Sequence, residues 1–370
     1  MATRLSTYTH NRDNNFNLIR FIAASLVLYS HSYPLALGTG HADPLFHAIG
    51  ITWGTVAVDV FFITSGFLIA GSFFARANLT AFIWARILRI YPALIVALLF
   101  CVLVVGLAFT TLTAYEYLAN PKTHRFLLKN ATLLSAIRYQ LPGVFADLPY
   151  PTAVNGSLWT LPYEIRMYAW LAVIGSVMRF AHARLGWHVV KPSFLAVALA
   201  ALALSLVNHF HPFASTHFIR LFCMFFLGVA CYVHRGHIYL SSRLFLALGA
   251  MLLLSAADQG AFFVVYSLTL PYLVFYLAYV PAGRIRRFNQ GGDYSYGIYI
   301  YAFPVQQSVA HLIPGVSVGT MVPTAFAVTF ALAFLSWHLI EKRCLERKGD
   351  YVWIERALQR LRPAKANPEG

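Results

Sequence analysis

Long apolar runs, separated by short clusters of Lys and Arg, constrain this chain more than any single residue does. A helix needs about 20 mostly apolar residues to cross the hydrocarbon core of a bilayer. Segments of that kind lie at 16–36, 51–74, 92–111, 157–178, 193–210, 217–234, 243–257, 261–280, 293–312 and 321–341. The seventh is short, and Asp258-Gln259-Gly260 blurs its border with the eighth. Of the 370 residues, 59% are hydrophobic and 11% charged, against roughly 25% charged in a soluble domain. The pattern predicts an all-α integral membrane protein, a bundle of about ten transmembrane helices.

The formal net charge is +15. A basic balance can signal a nucleic-acid partner, but these Lys and Arg punctuate the apolar runs, which is the mark of a topology signal. No nucleic acid is expected. With the N-terminus inside, the cytoplasmic segments carry Arg4 and Arg12, then Arg76, Arg86 and Arg89, then Arg179, Arg184 and Lys191. Arg235 and Arg243 follow, then Arg284, Arg286 and Arg287, and finally Lys342, Arg343, Arg347 and Lys348. The opposite connections after spans one, five, seven and nine have no Lys or Arg. Both termini are therefore expected in the cytoplasm. The long loop 112–156, with Lys122, Arg125, Lys129 and Arg138, runs against the trend, although the rule weighs short loops most.

That loop holds an amphipathic stretch near Thr123–Ile137 and a Pro-rich segment from Leu141-Pro142-Gly143 to Pro149-Tyr150-Pro151. A loop so long is a lid or binding surface, or an interfacial helix filling space. Past Gly349, Val352, Trp353, Ile354, Leu358 and Leu361 alternate with Arg356, Arg360 and Arg362. This reads as a basic amphipathic helix on the inner leaflet, dividing the chain into a transmembrane unit, 1–345, and a cytoplasmic tail, 346–370. Residues 1–15 lack the apolar core of a cleavable leader, so the first span is expected to direct insertion. Cys101, Cys223, Cys231 and Cys344 show neither a C-x-x-C pair nor metal-ligand spacing, so neither disulfides nor a metal are expected.

Ionisable groups inside spans cost about 2.5–3.5 kcal/mol each on insertion scales and mark functional positions. Five places carry them: Arg20 and His31 in span one, Asp59 in span two, Arg86 and Arg89 entering span three, Glu164 with Arg166 in span four, and Arg220 in span six. Arg20 and His31 are eleven residues apart, close to three helical turns, so they share one face about 16 Å apart. A snorkelling anchor and a hydrogen-bonded core histidine are the plainer readings of each alone. Arg86 and Arg89 sit at i and i+3 on one face, where two guanidiniums can grip phosphate or simply set topology. Asp59 and Glu164 can each orient an imidazole or pair with an intramembrane arginine. No Gly-rich phosphate loop is present.

Asn17-Leu18-Ile19-Arg20-Phe21 leading to Ser30-His31-Ser32, the Asp59–Gly66 segment, and Arg86-x-x-Arg89 with Tyr91-Pro92 follow in order. Next come Ser157-Leu158-Trp159-Thr160 with Glu164, Tyr294-Ser295-Tyr296-Gly297-Ile298-Tyr299, and His338-Leu339-Ile340-Glu341-Lys342. Each motif alone is weak, but the ordered set, over residues 14–345, resembles the acyltransferase 3 family of membrane-bound acyltransferases. The resemblance implies transfer of an acyl group, most often acetyl, from cytoplasmic acyl-CoA to a glycan hydroxyl on O-antigen, exopolysaccharide, peptidoglycan or lipo-oligosaccharide. It implies residence in the inner membrane and the stand-alone form without a C-terminal hydrolase-like domain. The family's Arg-x10-His motif falls on Arg20 and His31, its Arg-x-x-Arg motif on Arg86 and Arg89, and its span-four acidic position on Glu164. Pro162, just ahead of Glu164, departs from the family's pattern and leaves the local helix geometry open.

The expected partners are acetyl-CoA as donor, a glycan or lipid-linked glycan as acceptor, and membrane lipid. Arg20, Arg86 and Arg89 are the candidate binders of the CoA phosphates. His31 is the candidate base, with Glu164 or Asp59 holding its tautomer. On physical grounds alone, ten spans with buried Arg, His and Glu would equally suit a transporter or flippase of a glycan or small solute.

Overall fold

The computed structural model describes residues 2–9, 13–75, 78–353 and 355, without the side chains of 187–189. The principal helices are α1 (Phe16–Leu37), α2 (Trp53–Ala75), α3 (Leu79–Leu99), α4 (Pro121–Thr132), α5 (Leu161–Leu185) and α6 (Trp187–Phe210). They continue with α7 (Thr216–Val233), α8 (Ser242–Ser255), α9 (Gln259–Tyr279), α10 (Ser295–Leu312) and α11 (Val318–Ser336). The described residues are thus mainly helical, with one short antiparallel strand pair, Thr3–Arg4 with Tyr239–Leu240, and two isolated bridges.

Local chemistry sets the helix ends. Asn78 starts α3 by accepting from the Thr80 and Ala81 amides at 2.8 and 3.2 Å, satisfying donors that have no partner inside the helix. Asp258 does the same for α9 through the Ala261 amide at 2.7 Å, which settles the blurred border between the seventh and eighth apolar runs. α1 stops at Gly38, whose φ of +77° suits a residue without a Cβ and whose amide returns to the Pro34 carbonyl.

Among the described residues, six helical stretches are long and apolar enough to cross a membrane: α2, α3 through Phe109, α6 from Val190, α7, α9, and α11 through Trp353. The expected count of ten is larger because α1, α5, α8 and α10 are helical but shorter or less apolar. α10 shows why: Ser295, Gln306 and Gln307 are fully buried within the protein, where neighbours accept from the serine hydroxyl and the glutamine amide nitrogens. Gln306 donates to the Leu28 carbonyl and Ser32 hydroxyl of α1 at 2.8 and 2.7 Å. A second difference is the start of α3. The apolar run begins at Pro92, but the helix begins at Leu79 and continues to Phe109, so Arg86 and Arg89 are already inside it.

α1 is the central element, packed against α2, α10 and α11; α2 packs on α7, and α7 on α6. The α2–α7 contact is a backbone-to-backbone approach. A Cβ at Gly66 would fall 2.0 Å from the Phe225 carbonyl oxygen, and one at Gly228 2.2 Å from that of Ile63. Small residues are what allow helices to close this tightly.

The amphipathic stretch of the long loop is shorter than expected. α4 stops at Thr132, where Leu133 turns left-handed at φ +55°. Residues 133–156 then fold over α10 as an ordered cap with Leu141, Val144, Phe145 and Val154 buried. Gln307 of α10 fastens it by donating to the Tyr150 and Ala153 carbonyls at 2.8 and 2.7 Å. The cap meets the end of α1, where Gly38 abuts the Pro149 carbonyl. At the other end, the Leu5 amide bonds to the Ile238 carbonyl and Arg286 to Asp13. Of the basic residues and tail assigned from sequence, Arg12, Arg76, Ile354 and 356–370 lie outside the described residues.

Candidate active site

Helix α1 presents Arg20, and α3 presents Arg86 and Arg89, to one cavity of about 1000 Å³ that includes space open to solvent. Glu164 and Tyr168 of α5, Asp293, Trp337 and Lys348 complete much of its wall. Three of the arginines expected from sequence are therefore brought together. Two carboxylates to which the sequence assigned no role pair with Arg20 and Arg89. Asp293 sits 2.5 Å from the Arg89 guanidinium and 4.0 Å from that of Arg20. Its other oxygen accepts from the Ser295 amide and hydroxyl. Glu341 lies 3.5 Å from Arg89 and accepts from Ser336 at 3.0 Å. It is delivered by a wide π-type turn, Trp337–Glu341, below α11; such turns commonly re-aim a side chain at a functional site.

Aromatic faces flank the cations. Arg20 lies 5.7 Å from the Phe61 ring centroid, Arg89 5.8 Å from Tyr296, and Arg86 5.9 Å from both Phe82 and Tyr168. Each contact offsets part of the cost of keeping a guanidinium out of bulk water. Arg166 stands over Tyr163 instead and does not line this cavity.

A second cavity of about 490 Å³ continues inward and shares Arg20, Ser65 and Glu164 with the first. Phe61, Phe62, Thr160, Tyr296 and Tyr299 are among its lining residues. The Thr160 and Tyr299 hydroxyls are 2.6 Å apart. Glu164 accepts a hydrogen bond from Tyr168, so its charge is held on the boundary between the two spaces.

One helical turn beyond Tyr299 stands Phe303, and His31 packs edge-on against it at 5.4 Å. Tyr150 of the cap meets the same ring at 6.0 Å. The His31 Nδ1 is buried and has no hydrogen-bond partner among the described residues. Neither expected carboxylate orients it. Asp59 is completely buried and faces Arg220 at 3.4 Å, with the Tyr266 hydroxyl donating to it at 2.9 Å. It is committed to an ion pair among α2, α7 and α9. Glu164 stays beside the arginines.

The acyltransferase 3 family, described as an acyltransferase domain, matches residues 13–340. An "O-acetyl transferase" of Shigella phage Sf6 is 30% identical over 93% of this chain and 100% of that protein. "Nodulation protein 10" of Rhizobium leguminosarum bv. viciae is 28% identical over 92% of this chain and 95% of its own. No solved structure matches. The chain belongs to the acyltransferase 3 family, and it is an acyltransferase.

Proposed function

We propose that this enzyme moves an acetyl group from cytoplasmic acetyl-CoA to a hydroxyl of a glycan, across an inner-membrane bundle of about ten spans. Residues 1–345 form that catalytic unit, and Lys348, from the segment that follows, reaches its cavity. What carries the reading is the pair of cavities that share Arg20, Ser65 and Glu164. The outer of the two gathers Arg20, Arg86, Arg89 and Lys348, cations suited to a polyphosphate handle. The other, of about 490 Å³, includes Tyr299, one helical turn from the Phe303 ring on which His31 rests, the direction a pantetheine arm would take. The relative named an O-acetyl transferase supports acetyl as the group moved.

In this reading, the arginines and Lys348 hold the CoA phosphates, and the thioester extends past Glu164 and Ser65. His31 takes the proton of the acceptor hydroxyl as its oxygen attacks the thioester carbonyl. The carbon–sulfur bond breaks, and the proton passes from the imidazolium to the departing CoA thiolate. A neutral imidazole suits the step because its unprotonated ring nitrogen can accept the hydroxyl proton. Asp59 takes no part in it; its role is to pair with Arg220.

The test is a transfer assay with purified full-length protein, acetyl-CoA and surface glycan. General-base assistance is worth about 10²–10⁴-fold, so His31→Gln should lose that much transfer while binding acetyl-CoA normally. A Gln variant near wild-type rate would remove His31 from the chemistry. Sidedness is read separately, by an impermeant thiol reagent on Leu134→Cys in intact cells; labelling only after lysis would reverse the orientation.

A further inference from the structure

The positive charge of the long loop has a place in three dimensions. Lys122 and Arg125 of α4 and Arg138 of the returning chain line one concavity of about 840 Å³, with Ile137, Tyr139 and Gln140. No carboxylate lines it, and among the described residues none of the three cations makes an ion pair. Three like charges around one hollow repel one another. The hollow is nevertheless built with care. Buried Asn130, on α4, donates to the Arg138 carbonyl and accepts from the Arg138 amide, both at 2.8 Å. That reciprocal clamp fixes Arg138 alongside α4.

The floor of the hollow is continuous with the histidine end of the site. Gln140 pairs with Ala153, and the Val154 amide bonds to the Tyr139 carbonyl at 2.7 Å. The same segment carries Tyr150, which shares the Phe303 ring with His31.

We propose that this concavity binds a phosphate or diphosphate ester and so positions a phosphorylated acceptor with its sugar toward Tyr150 and His31. Two guanidiniums offer planar forks and Lys122 a point charge, a set that matches an oxyanion carrying more than one charge. The proposal rests on the acyl-transfer reading above. The same phosphate chemistry has two sources, a phosphorylated glycan acceptor or the headgroup of a bilayer lipid at the rim of the cap.

The experiment uses the full chain in nanodiscs of zwitterionic lipid and inorganic pyrophosphate as probe. Wild type should bind it, and Arg125→Gln/Arg138→Gln should weaken binding at least tenfold. Lys129→Gln, outside the hollow, should leave it unchanged. Acetyl-CoA affinity, measured on the same samples, should not move in any variant. Absence of acetyl-CoA binding in wild type would defeat the acyl-transfer reading while leaving the pyrophosphate result legible. Competition by phosphatidylglycerol added to the nanodiscs assigns the site to lipid headgroups, and an unchanged pyrophosphate affinity there assigns it to the acceptor. Pyrophosphate that does not bind wild type, or binds the double variant equally, overturns the proposal.

Discussion

Two sets of charges lie inside this bundle, and in the sequence they look alike. Asp59 and Arg220 form one; Arg20, Arg86, Arg89, Asp293 and Glu341 form the other. The first is closed: Asp59 is completely buried, and Arg220 and the Tyr266 hydroxyl take up its oxygens. The second opens on a cavity of about 1000 Å³, where Asp293 and Glu341 pair with Arg20 and Arg89. A charge inside a membrane protein is therefore not enough to mark a site. What separates the two is whether space for a ligand adjoins the charge.

The largest effect should come from breaking the closed pair. Arg220→Met leaves Asp59 buried without its counter-ion, which costs about 3–5 kcal/mol. Thermal unfolding of the detergent-solubilised protein should fall sharply, with little folded protein recovered. Asp59→Leu/Arg220→Met removes both charges and should recover most of the loss, because well-packed apolar residues replace a buried ion pair at little net cost. Transfer activity in that double variant would confirm the pair as structural. A stable but inactive double variant would return Asp59 to the chemistry.

The open set should answer in binding rather than in folding. Arg86→Lys/Arg89→Lys keeps the charge but not the planar fork. Charge-assisted hydrogen bonds are worth about 1.5–3 kcal/mol each, so acetyl-CoA affinity should drop roughly tenfold or more while the unfolding temperature changes little. Equal acetyl-CoA affinity in wild type and variant would reduce the pair to topology signals, and the contrast between the two charge sets would collapse.

Local patterns made part of this legible in advance. Arg20 and His31 on one helix, and Arg86 and Arg89 on one face, follow from helical spacing alone. The partners were out of reach because they come from distant sequence: Asp293 lies 204 residues from Arg89, at the foot of a helix whose apolar pattern hides it. The start of α3 lies ahead of the apolar run for a related reason. Arginines lower the hydropathy of 79–91, and only the carboxylates and aromatic rings packed around them make a continuous helix affordable there. The polar helix α10 was read as a span from its apolar run, yet it falls short in hydropathy, and its glutamines bond to α1 and the cap.

The smallest effect, and the finest test of the comparison, concerns Asp293. Its carboxylate touches both Arg20 and Arg89, so an incoming phosphate has to share those guanidiniums with it. Ser295 holds the carboxylate independently through its amide and hydroxyl, and Asn at this position can still accept both bonds. Asp293→Asn should therefore keep the local geometry and remove only the competing charge, while Glu341 continues to steer Arg89. Ion pairs at a solvated cavity wall are worth up to about 1 kcal/mol, so acetyl-CoA should bind at most about fivefold more tightly. The gain should shrink as salt is raised, since screening weakens the attraction of the uncovered arginines for phosphate. Affinity that instead falls tenfold would mean that Asp293 holds the two guanidiniums in their binding posture, and the open set would then depend on its ion pairs as fully as the closed one does.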